Sequence, residues 1–349
     1  MKFNLAFYVH HHGAGHFTRT AQIIRHLHGF HITLLGSNLK PYQHLLPKET
    51  NVIHLPMDTP DQNDVYHSNG NAVDAFHYAP LNIKGISERA AMMTNFFQSA
   101  HPLLLVVDVS VEVTLLARLA GIPTIVMRQH GLRDDLPHLM AYQSAELLIA
   151  PFPAAISPKS AKWITDKTKY VGGFSRFDKG NSAAEKPRHV AVIVGSGGTS
   201  IDADFIGFLT NAAHDFNFYI IGKIDGKAIL QPHVTYYGHQ DEPGMLLEQC
   251  SMVIGNTGHN TVMEMASLNK RFIAIPESRP FDEQLDKARA IQSVPGVIMI
   301  LPESLYETNW NEVLHQLQAQ QPEWDGIIAE NALASTAEAI VAVGQKIYG

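Results

Sequence analysis

Residues 190–200 read VAVIVGSGGTS, a continuous apolar run that breaks into a Gly/Ser loop and then into a helix-like stretch over 203–213. An uninterrupted apolar strand marks a strand covered on both faces, as in a parallel sheet with helices on either side. The chain has already run the same rhythm once. Residues 4–20, NLAFYVHHHGAGHFTRT, carry an apolar strand into glycines and a helix start. Working outward, strands are expected at 32–35, 52–55, 103–107, 124–127 and 147–150, with helices at 17–28, 86–99 and 111–120. Beyond residue 200, strands at 218–221, 234–237, 252–254, 272–275 and 297–300 alternate with helices at 260–267 and 282–292. Repeated strand–helix–strand units predict an α/β protein. Two such series predict two Rossmann-like, doubly wound parallel-sheet domains facing across a cleft.

The expected division is an N-terminal domain over 1–173, a linker over 174–189, a C-terminal domain over 190–324 and a closing helix within 325–349. The linker reading rests on FSRFDKGNSAAEKPRH, which has little apolar content and carries Gly, Ser, Asn and Pro. Residues 56–80 break the rhythm as a long polar stretch with three aromatics, the pattern of a functional surface loop.

Composition narrows the function classes. The 349 residues are 45% hydrophobic, enough for two cores, and the net charge of -7 lacks the basic excess of a nucleic-acid binder. Residues 1–175 balance to +2 and the rest to -9, so the halves differ in character. A single cysteine, Cys250, excludes a disulfide scaffold and fits a reducing compartment, here the cytoplasm. No apolar run reaches the ~20 residues of a spanning helix. Met1–Val9 runs into His10–His12 with no small-residue cleavage site, so no signal peptide is expected.

Candidate chemistry collects at strand ends. Gly13 and Gly15 allow a tight turn before a helix that opens with His16 and Arg19. The dinucleotide fingerprint is incomplete there, because Thr18 stands at its third glycine and no acidic residue ends the second strand. His16 is instead a candidate general base. Asp108 ends another strand and would either orient His16 or cap the helix over 111–120. Gly15, Arg19, Glu112, Arg128 and His130 lie at the same expected sheet edge and are candidate acceptor contacts. With neither Cys nor a helical His pair nearby, no metal is expected at His10–His12.

In the C-terminal half, Gly195, Ser196, Gly197, Gly198 and Thr199 form a loop whose backbone N–H groups suit an anion; it lacks the GK[ST] of a Walker loop. A second helix start follows at Asn256, Thr257, Gly258, His259, Asn260 and Thr261. Glu264 would accept from ribose hydroxyls, or close a capping box with Thr261. Asp282, Glu283 and Gln284 would bond a sugar, or serve as an acidic helix start.

The order GSGGTS, then YYGHQDEPGMLLEQCSMVIGNTGHNTVMEMASLNKRFIAIPESRPFDEQ, resembles the C-terminal domain of the MurG-like glycosyltransferases of the GT-B fold. GAGHFTRT resembles the glycine–histidine loop of that group. The resemblance implies an inverting enzyme moving a hexosyl or N-acetylhexosaminyl group from a nucleotide-diphosphate sugar, a UDP-sugar first, to a hydroxyl acceptor. It implies that the two helix starts face the diphosphate, Glu264 the ribose, Gln284 the donor sugar, and Gly238-His239 the base. It implies no cofactor beyond that co-substrate, and a final helix that crosses back to the first domain. The acceptor, lipid-linked or a metabolite, and peripheral membrane contact stay open, because the N-terminal half lacks the acceptor signature of the peptidoglycan enzyme. The alternatives are a sugar-nucleotide 2-epimerase on the same fold and a non-catalytic nucleotide-sugar-binding protein.

Overall fold

A computed structural model describes residues 3–11, 14–67, 76, 79–177, 184–195, 198–224, 226 and 231–349. The N-terminal series runs β1 (Asn4–Val9), α1 (Ala14–Ile24), β2 (Ile32–Gly36), β3 (Asn51–His54), α2 (Lys84–Ser99), β4 (Leu103–Asp108) and α3 (Val111–Leu119). It continues with β5 (Thr124–Met127), α4 (Leu136–Ser144), β6 (Leu147–Ala150), α5 (Lys162–Lys167) and β7 (Thr168–Tyr170). Among the described residues these strands form one seven-stranded sheet in the order β3-β2-β1-β4-β5-β6-β7, every pairing parallel. Buried Phe7 and Val106 belong to one apolar cluster and Tyr8 and Val107 to another, so both sheet faces are packed. That is why these strands read as unbroken apolar runs.

The second series runs β8 (Lys186–Ile193), α6 (Ala203–Ala212), β9 (Asn217–Ile221), β10 (Val234–Gly238), α7 (Gly244–Gln249), β11 (Cys250–Asn256) and α8 (His259–Ser267). Then come β12 (Arg271–Ile275), α9 (Glu283–Ile291), β13 (Val297–Met299), α10 (Trp310–Gln318) and α11 (Ala332–Tyr348). The sheet order is β10-β9-β8-β11-β12-β13, again parallel throughout. In each sheet the strand order reverses beside the first strand, between β1 and β4 and between β8 and β11. Loops leaving such a pair diverge to opposite faces and open a crevice at the carboxyl ends, where ligands of these folds bind.

Two local differences from the sequence reading have physical causes. Lys186–His189, read as linker, form the first half of β8; their side chains are mostly exposed at the amino end of the strand, so the segment carries no apolar signal. Residues 178–183 of the expected linker lie outside the described residues. Helix α1 stops at Ile24 rather than at His28, as the exposed His26 and His28 contribute nothing to a buried stripe.

The last segment crosses between the two units. Trp324 packs with the C-terminal core and donates its indole N–H to Lys270 O at 2.7 Å. Eight residues later α11 begins, and Ala332, Ala337, Ala339 and Ile340 pack into the cluster that holds Phe3 and Phe7. Tyr348 ties it down, donating to Leu103 O at 2.8 Å.

Candidate active site

The crevice of the N-terminal sheet is built by the ends of β1 and β4. Asp108 is the last residue of β4 and is 2% exposed. One of its oxygens, Oδ2, lies 2.9 Å from His16 Nδ1 in the first turn of α1, and the other accepts from the Arg19 guanidinium one turn further on. Because Asp108 can only accept, the imidazole proton sits on Nδ1 and Nε2 is left as the acceptor. Arg19 and Gln129 place amino nitrogens 3.3 and 3.5 Å from the same Nδ1, but as donors they cannot bond a nitrogen that is itself donating. Burial pushes the Asp108 carboxyl up, and the charges of Arg19 and His16 overcome it and hold it at about 2.

The helix-cap role goes elsewhere. Ser110 caps α3, its hydroxyl accepting from Val113 N–H at 3.3 Å. Val109 between them takes a φ of +62°, a strained value for a β-branched residue, and it lets the chain turn sharply enough to free Asp108 for the crevice.

The other residues expected to face an acceptor are differently employed. Gly15 offers its carbonyl across the crevice to Asn260 Nδ2 at 3.2 Å. Arg19 is 3% exposed and belongs to Asp108. Glu112 accepts from Ser110 Oγ at 2.8 Å, and burial raises its pKa. Arg128 and His130 are corrections: both are buried parts of the fold. Arg128 donates to Thr168, Tyr170 and Ser160, bracing the edge strand β7. His130 meets Ile156 O at 2.8 Å and lies on Phe152, its ring centroid 4.3 Å away. Burial, helped by nearby Lys287, drives its pKa well below the usual histidine range, so it stays neutral.

Sequence reading missed an ionic group beside this crevice. Arg89, on α2, donates to Asp58 and, at 2.6 Å, to Tyr8 OH. His10, His11 and Asp58 bring potential ligand atoms within 4.8 Å of one another. Arg89 and His11 both lie against the Asp58 carboxylate, His11 Nδ1 at 3.5 Å. The group's signal was a lone arginine on the apolar stripe of a helix, paired with an aspartate from the polar stretch after residue 56.

On the C-terminal side, Ser196 and Gly197 lie outside the described residues. The helix expected to point its N-terminus from this loop begins only at Ala203, and Asp202 already caps it, accepting from Phe205 N–H at 2.8 Å. The loop's donors turn instead to Glu277, just after β12. Glu277 Oε1 accepts from Ser200 N–H at 2.6 Å, Ser200 Oγ at 2.7 Å and Thr199 Oγ1 at 3.1 Å. Gly198 accepts from Arg279 at 2.6 Å.

The other helix start is open. Gly258 precedes α8 with no side-chain cap, so N–H groups of its first turn are left for an anion. Since α8 begins at His259, Thr261 lies inside the helix and the capping-box reading with Glu264 falls. Glu264 pairs with Arg176, whose Nε is 2.9 Å from Oε1, and burial raises its pKa despite that cation. His259 is 9% exposed, and its pKa is pushed well below normal by burial and by Lys287. Arg19, Arg176, His259 and Glu264 share the walls of one pocket between α1, the linker and α8. Thr257 is fully buried and donates to Gln284 O at 2.8 Å. Gln284 Oε1 accepts from Glu277 N–H at 3.0 Å. Glu283 is engaged by Lys287 at 3.4 Å and Arg133 at 3.6 Å, whereas Asp282 is exposed. Gly238 has a φ of +64°, and His239 is exposed, 3.2 Å from Asp241.

The two crevices face each other. Gly131 N–H donates to Asp286 at 3.1 Å, Leu132 N–H to Phe281 O at 3.0 Å, and the Arg133 guanidinium lies 4.7 Å from the Phe281 ring centre. Gly131 has a φ of +97°, and a Cβ there would stand 2.5 Å from Phe281 O, so only glycine permits this approach.

The chain is similar to several known proteins. Residues 218–342 match the glycosyltransferase family 28 C-terminal domain. A Streptococcus thermophilus UDP-N-acetylglucosamine–N-acetylmuramyl-(pentapeptide) pyrophosphoryl-undecaprenol N-acetylglucosamine transferase is 25% identical over 227 residues, 60% of each chain. The match thus spans about 60% of that relative's length. The Geobacillus kaustophilus protein of the same name is 23% identical over 254 residues, 68% of this chain and 70% of its own. In three dimensions, the glycotransferase of kitacinnamycin superposes with a TM-score of 0.68 at 13% identity, covering 99% of both chains. MurG of Acinetobacter baumannii gives 0.63 at 14%, covering 98% of this chain and all of its own. At such identities these two structures show the fold.

Proposed function

We propose that this chain, MurG-like and GT-B in fold with a family 28 C-terminal domain, transfers a sugar from a nucleotide-diphosphate sugar to a hydroxyl acceptor with inversion. A UDP-sugar is the first choice of donor, because the family 28 match covers the donor half and the curated relatives are named for UDP-N-acetylglucosamine.

The observation that carries the reading is the His16–Asp108 pair facing the uncapped start of α8. His16 Nε2 takes the proton of the acceptor hydroxyl, whose oxygen attacks the anomeric carbon from the face opposite the leaving group. The bond to the diphosphate oxygen breaks, and the nucleoside diphosphate leaves with the added charge. The N–H groups of α8's first turn stabilise that charge. Asp108, kept ionised and clamped by Arg19, holds the ring in the tautomer that accepts at Nε2 and stabilises the imidazolium that forms. Glu264 is suited to the ribose hydroxyls, with Arg176 fixing its carboxylate. No cofactor takes part in this scheme, and the acceptor is a hydroxyl compound, lipid-linked or soluble. Among the described residues no helix is long and apolar enough to cross a membrane.

Thermal shift against UDP, dTDP, GDP and NAD tests the donor: one nucleoside diphosphate should stabilise the chain and NAD should not. His16→Ala should keep that stabilisation while turnover falls by roughly 10²–10⁴. Unchanged turnover removes His16 from the base role. Product formed from the donor alone would point to epimerisation instead.

A further inference from the structure

Glu277 stands where the sequence leads one to expect a ligand. Its Oε1 atom collects the Ser200 N–H at 2.6 Å, the Ser200 hydroxyl at 2.7 Å, Asn256 Nδ2 at 2.9 Å and the Thr199 hydroxyl at 3.1 Å. Four donors on one oxygen exceed what an ordinary carboxylate hydrogen bond requires; such convergence is the coordination of a bound anion. The donors come from the loop that follows β8 and from the last residue of β11, the two strands at the crevice of this sheet, and the carboxylate from the segment just after β12. The loop passes close to the strand side of the cradle: a Cβ on Gly195 would stand 2.8 Å from Asn256 Oδ1. The acid is held through its backbone as well, Gln284 accepting from Glu277 N–H at 3.0 Å, while Arg279 ties down the loop by donating to Gly198 O at 2.6 Å.

We propose that Glu277 is a resident anion that fills a phosphate cradle in the ligand-free protein and is displaced when a diphosphate binds. While the site is empty, the carboxylate gives four partly buried donors a common acceptor; Asn256 Nδ2 has a second, longer contact to Ile275 O at 3.4 Å. A diphosphate oxygen presents the same acceptor chemistry with more charge and takes those donors over. The displaced carboxylate then swings away from the phosphates, since two anions cannot share the cradle. The device holds the loop ready and sets a threshold that a weakly charged ligand does not pass. The inference deepens the donor-site reading and rests on it for the identity of the natural ligand; the cradle itself is tested with inorganic pyrophosphate.

The experiment is isothermal titration of the full chain, as wild type, Glu277→Gln and Glu277→Ala, with inorganic pyrophosphate and separately with UDP and dTDP, in metal-free buffer. Glu277→Gln keeps an oxygen acceptor for the loop and removes the charge, so it guards against a loss of fold. The expected result is pyrophosphate affinity about tenfold or more higher in both variants. The ligand-free Tm should also fall in Glu277→Ala, where the four donors lose their acceptor. Equal or weaker pyrophosphate binding by Glu277→Gln overturns the proposal and makes Glu277 an ordinary loop anchor. If pyrophosphate binds none of the three, the cradle is refuted. If pyrophosphate binds as expected but neither nucleotide does, the cradle stands and the UDP- or dTDP-sugar donor reading fails.

Discussion

Replacing Asp108 by Asn separates the charge of this residue from its shape. The native carboxyl is held at about 2 against an ordinary 3.8, a difference of nearly two pH units. That amounts to about 2–3 kcal/mol of stability at neutral pH. A second route gives more: removing one partner of a buried ion pair costs roughly 3–5 kcal/mol, because the other charge is stranded. Arg19, at 3% exposure, would be that stranded charge. The second figure is the better guide for the variant, as the first counts only the proton and leaves Arg19 paired. For a domain of this size the loss corresponds to a Tm drop on the order of 10 °C.

The pH dependence follows from the direction of the shift. A carboxyl depressed in the folded state stabilises fully above its unfolded pKa and loses that contribution as pH falls toward its folded pKa. Urea midpoints for wild type and Asp108→Asn, measured from pH 7 downward, should therefore differ most above about pH 5 and converge as pH falls toward about 2. Turnover at pH 7 should also fall, because the amide no longer enforces the tautomer of His16. A variant as stable as wild type at pH 7, or a gap that stays constant between pH 5 and 3, refutes the account of Asp108 as a buried, ionised clamp.

Gly131→Ala should cost about 1–3 kcal/mol in a thermal melt, since the new Cβ meets the Phe281 carbonyl across the two domains and the φ of +97° disfavours any side chain. Small-angle scattering should show that variant as more extended; an unchanged profile would mean that the interdomain contact yields elsewhere. Glu264→Ala should weaken UDP binding roughly 10- to 100-fold by removing charged hydrogen bonds to the ribose. Pyrophosphate, which has no ribose, should bind it as it binds wild type, and an equal loss for both ligands would place Glu264 away from the sugar.

Sequence patterning made the strands legible, because β1, β4, β11 and the second half of β8 are covered on both faces, which favours runs of apolar residues. The first half of β8 was hidden for the complementary reason: its side chains reach solvent and carry no periodic signal. Among site residues, His16 and Asp108 could be paired from their places at strand ends, since adjacent strands in a doubly wound sheet bring such ends together. Arg128 and His130 sit in equivalent places yet are consumed by β7 and Phe152, a distinction that depends on contacts such as Arg128 with Tyr170 and His130 with Ile156, 42 and 26 residues away along the chain. Glu277 lay in a stretch noticed for its other acids, and nothing local marks it.

What the sequence determined alone is what repeats along it: two runs of buried strands, their glycine turns and the helix starts that follow. Local propensity and burial periodicity act over a few residues, so they can be read without knowing the fold. Which polar side chain faces the crevice, which is locked into the core and which one fills an anion cradle were decided only by the tertiary structure. Hydrogen-bond partners are a matter of distance in space, and Glu277 meets Ser200 across 77 residues of chain.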